Sequence, residues 1–444
     1  MIFEILKREG FNIAKEFYGK IDEWSEWHRG KVKQFHSYLQ YNGLKKISRE
    51  RASLNMAKKV CEDWANLLMN EKVEGTTQNE EYDAVLKDVL TKNNFRVRSN
   101  QLIELTFALG TGAFVENLIG GTVSIDYITA DMIFPLSYDN GKISDCAFAS
   151  EIKKDGKKYY YIQFHLKQKN GGYIIENKYF DVNNGKEATN VFEKVAPSVS
   201  SELPLFQIIS PNIINNYDFS SPMGISIFAN AIDVLKGIDL IYDSYQNEFR
   251  LGKKRIILPL TMAQIMRNEN GDTIPVFDDN DTEFYAVKET DNFNQLKEIN
   301  MEIRSESHLG ALQNSLNLLS SLTGLGNDRF MFDKYKGEMK TATEVISEKS
   351  ELFQNLKKHE LILDAAIKKL YCAILYLNGK KIDETDIKID FDDSIIQDKE
   401  KEFAQDLQLV SSGIMQKWEF RVKYFNESDE EAKKMCAVDE FEEE

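Results

Sequence analysis

The sequence predicts an α+β fold in which helices and strands are segregated along the chain. Two observations carry this. Apolar residues recur at steps of 3 and 4 over much of residues 48–109 and again over 225–377, the spacing of amphipathic helices. Between these regions, from Thr122 to about Val191, short β-rich runs are punctuated by Asn-Gly and Asp-Gly pairs, which tolerate the positive φ of tight hairpins. Strands gathered between runs of helices make an α+β pattern.

In order along the chain, residues 48–70 place Leu54, Ala57, Val60, Cys61, Trp64, Leu67 and Leu68 on one helical face, with Ser48, Glu50 and Arg51 as the start. Helices are expected at about 80–92 and 97–109, the latter leading into "ALGTGAFVENL". The runs "TVSIDYI", "DCAFASEI", "KYYYIQFHLKQ" and "YIIENKYFDV" form an antiparallel meander with one face buried. Its turns are marked by Asn140-Gly141, Asp155-Gly156, Asn170-Gly171-Gly172 and Asn184-Gly185. Residues 192–221 read as loop, punctuated by Pro197, Pro204 and Pro211.

A long helix follows. Ile225, Phe228, Ile232, Leu235, Ile238, Tyr242, Tyr245 and Phe249 make a continuous stripe, a rod of ~40 Å. Leu240, Ile241 and Leu251 lie off it, so one partner helix does not cover every apolar residue. A symmetric neighbour is the sharper reading, burial within the same chain the plainer one. The rod ends in Gly252-Lys253-Lys254-Arg255, cations that suit the carbonyl end of a helix or an acidic partner. Residues 253–298 form an insertion with strands "RIILPL" and "EFYAV". A helix over 299–324 carries Ile303, Leu309, Leu312, Leu316, Leu319 and Leu322 on one side and is stopped by Gly324 and Gly326. The longest helix opens at Thr341, with Glu344 at capping-box spacing, runs about 36 residues and ends at Gly379. "DIKIDFDD" reads as a strand, followed by helices near 398–412 and 415–424 and an acidic end.

Composition restricts function. The chain of 444 residues is 42% hydrophobic with a net charge of −16. That balance is wrong for a protein that grips nucleic acid over a broad basic face, and it favours solubility or only local contact with DNA. Cys61, Cys146, Cys372 and Cys436 have no zinc or disulfide spacing, which points to a reducing compartment. The start lacks the apolar core of a signal peptide, and no run is long enough to span a membrane, so an intracellular, soluble product is expected.

Catalytic signals are thin. "GTG" at 110–112 lacks the third glycine of a dinucleotide loop, and close packing at a helix–strand junction explains it better. No phosphate-binding GxxxxGK[ST] or HExxH occurs, and His28, His36, His165, His308 and His359 lack ligand spacing. "DDNDTE" at 278–283 alternates carboxylates but misses the glycine and glutamate of a calcium loop, and "DFDDS" at 390–394 reads as a solvated turn. The expectation is no enzyme, no metal and no cofactor.

Four stretches in order resemble the portal proteins of tailed bacteriophages, in the branch common among phages and prophages of Gram-positive bacteria. They are "RASLNMAKKVCEDWANLLMNEK", "ITADMIFPLSYDNGKISDCAF", "SPMGISIFANAIDVLKGIDLIYDSYQNEFRLGKKRI" and "GLGNDRFMFDKYKGEMKTATEVISEKSELF". The resemblance implies a homo-oligomeric ring, usually of about twelve copies, at one vertex of the capsid. Through it double-stranded DNA is packaged and later ejected. It implies a virion component assembled in the host cytoplasm, with the terminase large subunit, major capsid and scaffolding proteins and a head-completion adaptor as partners, and no membrane.

By position, the resemblance implies a wing at 1–221, stem helices at 222–252 and 299–323 and a clip at 253–298. A tunnel loop at 324–339, a long helix returning to the wing at 340–394 and a short helical crown with acidic tail at 395–444 complete the layout. Asn327, Asp328, Arg329, Lys334, Tyr335 and Lys336 become the DNA-facing candidates. Lys253, Lys254 and Arg255 become docking candidates for the terminase or adaptor. Ile232, Leu235, Ile238, Leu240, Ile241 and Tyr242 become candidates for packing between stems. Two alternatives stand beside this: a helical scaffold or adaptor that never encloses DNA, and a metal-dependent nuclease built on the acidic clusters.

Overall fold

In the computed structural model, the described residues are 1–41, 43–70, 73–188, 196, 198–252, 255–259, 265–267, 273–275, 284–287, 297–299, 302–327, 329–331, 342–391, 406–425 and 432–436. The first 36 residues, for which periodicity assigned nothing, form α1 (Ile2–Arg8), α2 (Glu16–His28) and α3 (Lys33–His36). Tyr18, Ile21, Trp24 and Trp27 step by three along α2 and are all buried.

The stretch expected to open the next helix is instead a hairpin, β1 (Ser37–Tyr41) with β2 (Lys46–Glu50), and α4 (Met56–Leu68) begins only at Met56. The reason is tertiary. The Ala52 and Leu54 amides donate to Asp243 and Asp239, far along the chain, and Asn55 sits in the left-handed region at φ 53°. Backbone groups engaged this way cannot begin a helical ladder.

Next come β3 (Glu74–Thr77), α5 (Glu80–Lys92), capped by the Asn79 side chain, and α6 (Phe95–Leu109). The glycines that follow are packing devices. A Cβ on Gly110 would lie 2.5 Å from the Gly224 carbonyl oxygen, and one on Gly112 would lie 2.0 Å from the Thr106 hydroxyl. Gly112 opens β4 (Gly112–Ile119), a strand that periodicity missed because its residues are buried on both faces.

Then follow β5 (Thr122–Thr129), β6 (Ile133–Asp139), β7 (Lys142–Lys154), β8 (Lys157–Lys167) and β9 (Tyr173–Asp181). The supposed loop after them contains β10 (Ser198–Ser201) and β11 (Phe206–Ile209). One antiparallel sheet runs β10-β9-β8-β7-β6, and a second runs β11-β4-β5. The hairpins turn where expected: Asn140 and Gly141 have φ of 49° and 73°, Asp155 and Gly156 of 50° and 77°.

The long rod is shorter than its stripe. α7 (Ile232–Leu251) has 20 residues, about 30 Å. The preceding segment is held on α6 by the Ile227 amide and Ser226 hydroxyl, both donating to the Phe107 carbonyl, at 2.9 and 3.2 Å.

In the insertion, β12 (Arg255–Pro259) lies between β15 (Phe284–Val287), parallel to it, and β16 (Lys297–Ile299), antiparallel. β13 (Ile265–Arg267) pairs with β14 (Thr273–Pro275). α8 (Ser305–Leu322) leads to Gly324 and Gly326 at φ 77° and 79°. α9 (Ala342–Leu377) spans 36 residues and stops before Gly379 at φ 75°. β17 (Ile387–Asp390) returns to pair with β3, and α10 (Lys417–Phe425) lies between shorter helical segments at 406–411 and 432–436.

Among the described residues, the main hydrophobic core joins the helices up to α9 and the two larger sheets. It contains Trp24, Trp64, Phe114, Phe134, Phe148, Phe164 and Phe228 and reaches Leu235 and Ile238 of α7, Leu312, Leu316 and Leu319 of α8, and Leu363, Ile367, Leu370 and Ile374 of α9.

Candidate assembly interface

The base of α7 is fixed by a buried carboxylate. Asp239 is 3% exposed. Its Oδ1 accepts the Leu54 amide at 2.8 Å, and its Oδ2 accepts the Ser53 hydroxyl and His36 Nε2, each at 2.9 Å. The Val32 amide donates to His36 Nδ1 at 2.8 Å, which leaves the ring proton on Nε2, facing the carboxylate. One turn on, Asp243 accepts the Ala52 amide at 3.0 Å. A buried charge is tolerated here because donors surround it.

The far end of α7 is stapled to the start of α8, where the insertion departs. Glu248 accepts the Arg304 amide at 2.9 Å and its Nε at 2.8 Å, and His308 Nε2 lies 3.5 Å away. The Arg304 guanidinium holds the Glu248 carboxyl down to about 2. Tyr245 packs edge-on to Phe249 and against His308, fixing the two helices as a hairpin.

Both helices leave apolar side chains in solvent. Leu240 and Phe249 of α7 are 52% and 48% exposed, and Leu309, Leu318 and Leu322 of α8 are 46%, 58% and 53% exposed. Of the six residues expected to pack between stems, Leu235 and Ile238 offer no surface, because the protein's own core covers them. Leu240 stands free, and Ile232, Ile241 and Tyr242 are half-buried. Sequence reasoning passed over Leu318. The signal was present, since it falls off the buried stripe of Leu312, Leu316 and Leu319.

The segment after α8 is tied down at its start. Trp64 Nε1 donates to the Thr323 carbonyl at 3.0 Å, and Asn355 donates to that of Gly324 at 3.2 Å. Arg329, a DNA-facing candidate, donates from Nε to Asp63 at 2.9 Å, while Lys59 holds the other Asp63 oxygen at 2.8 Å. The contact ties the Arg329 side chain, one-third exposed, to a nearly buried carboxylate. Asn327 is exposed. Asp328, Lys334, Tyr335, Lys336, Lys253, Lys254 and the side chain of Arg255 lie outside the described residues, as does most of the two acidic clusters.

Among the described residues, no group of three or more His, Cys, Asp or Glu is arranged to hold a metal ion, and no helix is long and apolar enough to cross a membrane.

Residues 10–444 match the family profile described as "Phage portal protein, SPP1 Gp6-like". The chain belongs to the phage portal protein family. It is therefore a portal component of a phage-type particle, and its α+β architecture of helices and antiparallel sheets is that of a portal chain. Among solved structures, this portal chain is similar to one described as "Neck of empty GTA particle computed with C6 symmetry". That match has 13% identity and a TM-score of 0.41, and covers 82% of this chain and 87% of the other. No curated protein matches the chain.

Proposed function

We propose that this portal chain closes into a ring that serves as the conduit for double-stranded DNA during packaging and ejection, without chemistry of its own. The family match over nearly the whole chain carries the reading. The α7–α8 hairpin supports it, because a heterologous ring requires each copy to offer two different faces. The exposed Leu240 on one helix and Leu318 and Leu322 on the other supply apolar surface for such contacts.

In this reading the wing is 1–221, with α7 and α8 as the stem and 253–298 as the clip between them. The tunnel loop is 324–339, and 340–394 returns to the wing before a crown at 395–444. DNA-facing contacts fall to Asn327, Asp328, Arg329, Lys334, Tyr335 and Lys336, with the Arg329 Nε also tied to Asp63.

The net charge of −16 suits a bore that DNA slides through. Cations would hold phosphates by counterion release, whereas carboxylates repel them within a screening length of ~8 Å. Lys253, Lys254 and Arg255, at the entry to the clip, suit acidic surfaces of the terminase motor and later of a head-completion protein.

Electron micrographs and native mass of the purified chain test the reading. Closed rings of about a dozen copies are expected. Solitary particles at every concentration, with or without capsid and scaffolding proteins, would overturn it.

A further inference from the structure

The β1–β2 hairpin has two unlike faces. Its register sets Ser37, Leu39 and Tyr41 opposite Glu50, Ser48 and Lys46 on one face, and Tyr38 and Gln40 opposite Arg49 and Ile47 on the other. The second face rests in part on its own chain, with Tyr38, Ile47 and Arg49 half-buried. All six residues of the first are exposed, Leu39 by 67% and Tyr41 by 66%, and Leu44 near the tip is 89% exposed.

A lone two-stranded ribbon is marginal in water, yet this one is rooted firmly. The Arg51 amide donates to the His36 carbonyl at 2.7 Å and its Nη1 to the Phe35 carbonyl at 2.6 Å. Its guanidinium lies 4.2 Å from the Phe35 ring centroid and 5.0 Å from that of Tyr38. The next residues, Ala52 to Leu54, are held by Asp239 and Asp243 of α7. The arm is thus anchored on the helix that bears the exposed Leu240, while its own apolar face is bare.

Charge indicates what covers it. Residues 37–51 carry Lys45, Lys46, Arg49 and Arg51 against Glu50, a net +3, so the remainder of the chain carries −19. A second copy brings that acidic remainder to the arm. Leucine and tyrosine on the face favour protein over duplex DNA, whose backbone attracts cations but gives leucine nothing to bury against.

We propose that the β1–β2 arm is a clasp between neighbouring copies, with Leu39 and Tyr41 seated on the adjacent chain and Lys46 meeting its acidic surface. The inference rests on the ring reading and names one of its contacts.

The test dilutes wild type and a Leu39→Ser, Tyr41→Ser variant and follows ring against monomer by single-particle mass measurement, with circular dichroism as the folding control. The variant is expected to fall apart at a protein concentration at least tenfold higher. Equal stability of both rings overturns the clasp and leaves the ring reading standing, whereas a wild type that is always monomeric overturns both. Rings of wild-type stability that fail only in capsid incorporation, or only in retaining DNA, assign the face to another occupant and also overturn the clasp. If the variant does not fold, a photo-cross-linking benzoylphenylalanine at position 41 of the otherwise unchanged chain decides. Cross-links between chains are expected, and products confined to single chains refute the proposal.

Discussion

His165 is fully buried on β8 between Phe148 and Phe206, and neither ring nitrogen has a hydrogen-bonding partner in the protein. Burial pushes its pKa from 6.5 down to about 3, and His359, almost as deeply placed, is shifted likewise. Both rings are neutral in the fold and take up a proton on unfolding in acid. Stability is therefore complete above 6.5 and falls as pH drops toward 3, by roughly 2 kcal/mol for His165 at pH 5. His165→Leu should keep or raise stability at pH 7.5 and flatten this acid loss. Denaturant midpoints at pH 7.5 and pH 5 check it, and an unchanged gap between the two would contradict the account. Glu116 works in the opposite sense. Both its oxygens are buried without partners and burial raises its pKa, so the fold loses stability as pH climbs above the ordinary 4.5.

Among the elements, α7 joins the core, a buried polar hub and a neighbouring helix. Its core side is Leu235 and Ile238, its base is the Asp239 hub, and its tip is stapled to α8. The two polar attachments differ in energetic weight. In the Arg304–Glu248 pair the arginine is largely exposed, so the contact fixes geometry more than it stabilises. Asp239 is buried, so Asp239→Ala strands the Leu54 amide, the Ser53 hydroxyl and His36 Nε2 at once. A loss of about 3 kcal/mol or more is expected in equilibrium unfolding, along with faster hydrogen exchange over residues 50–55. A loss below 1 kcal/mol would show that the hub is dispensable. The hairpin beside it was illegible in the sequence for the same reason. A helix opening at Ser48 would need the Ala52 and Leu54 amides for its ladder, but these donate to Asp243 and Asp239, far along the chain.

At the scale of the whole molecule, the proposed ring sets an acidic body with a net charge of −16 against a cluster of cations at Lys253, Lys254 and Arg255. On that proposal the acidic body lets DNA slide, and the cations serve docking of the motor. Lys253→Glu with Lys254→Glu should leave ring formation intact and weaken binding of the purified terminase large subunit at least tenfold at low salt. Motor binding equal to that of wild type would remove these lysines from the docking surface.

Local chemistry settles much of this protein. The hairpin turns at Asn140-Gly141 and Asp155-Gly156, the extent of α9 and the glycine stops after α8 and α9 follow from backbone conformations and periodicities that neighbouring residues impose on one another. The four portal-like stretches were equally legible. Contacts between distant segments decided the rest. Burial of Leu235 and Ile238 inside one copy, capture of Arg329 by Asp63 and the late start of α4 each depend on partners dozens to hundreds of residues away, and no local pattern encodes such a pairing.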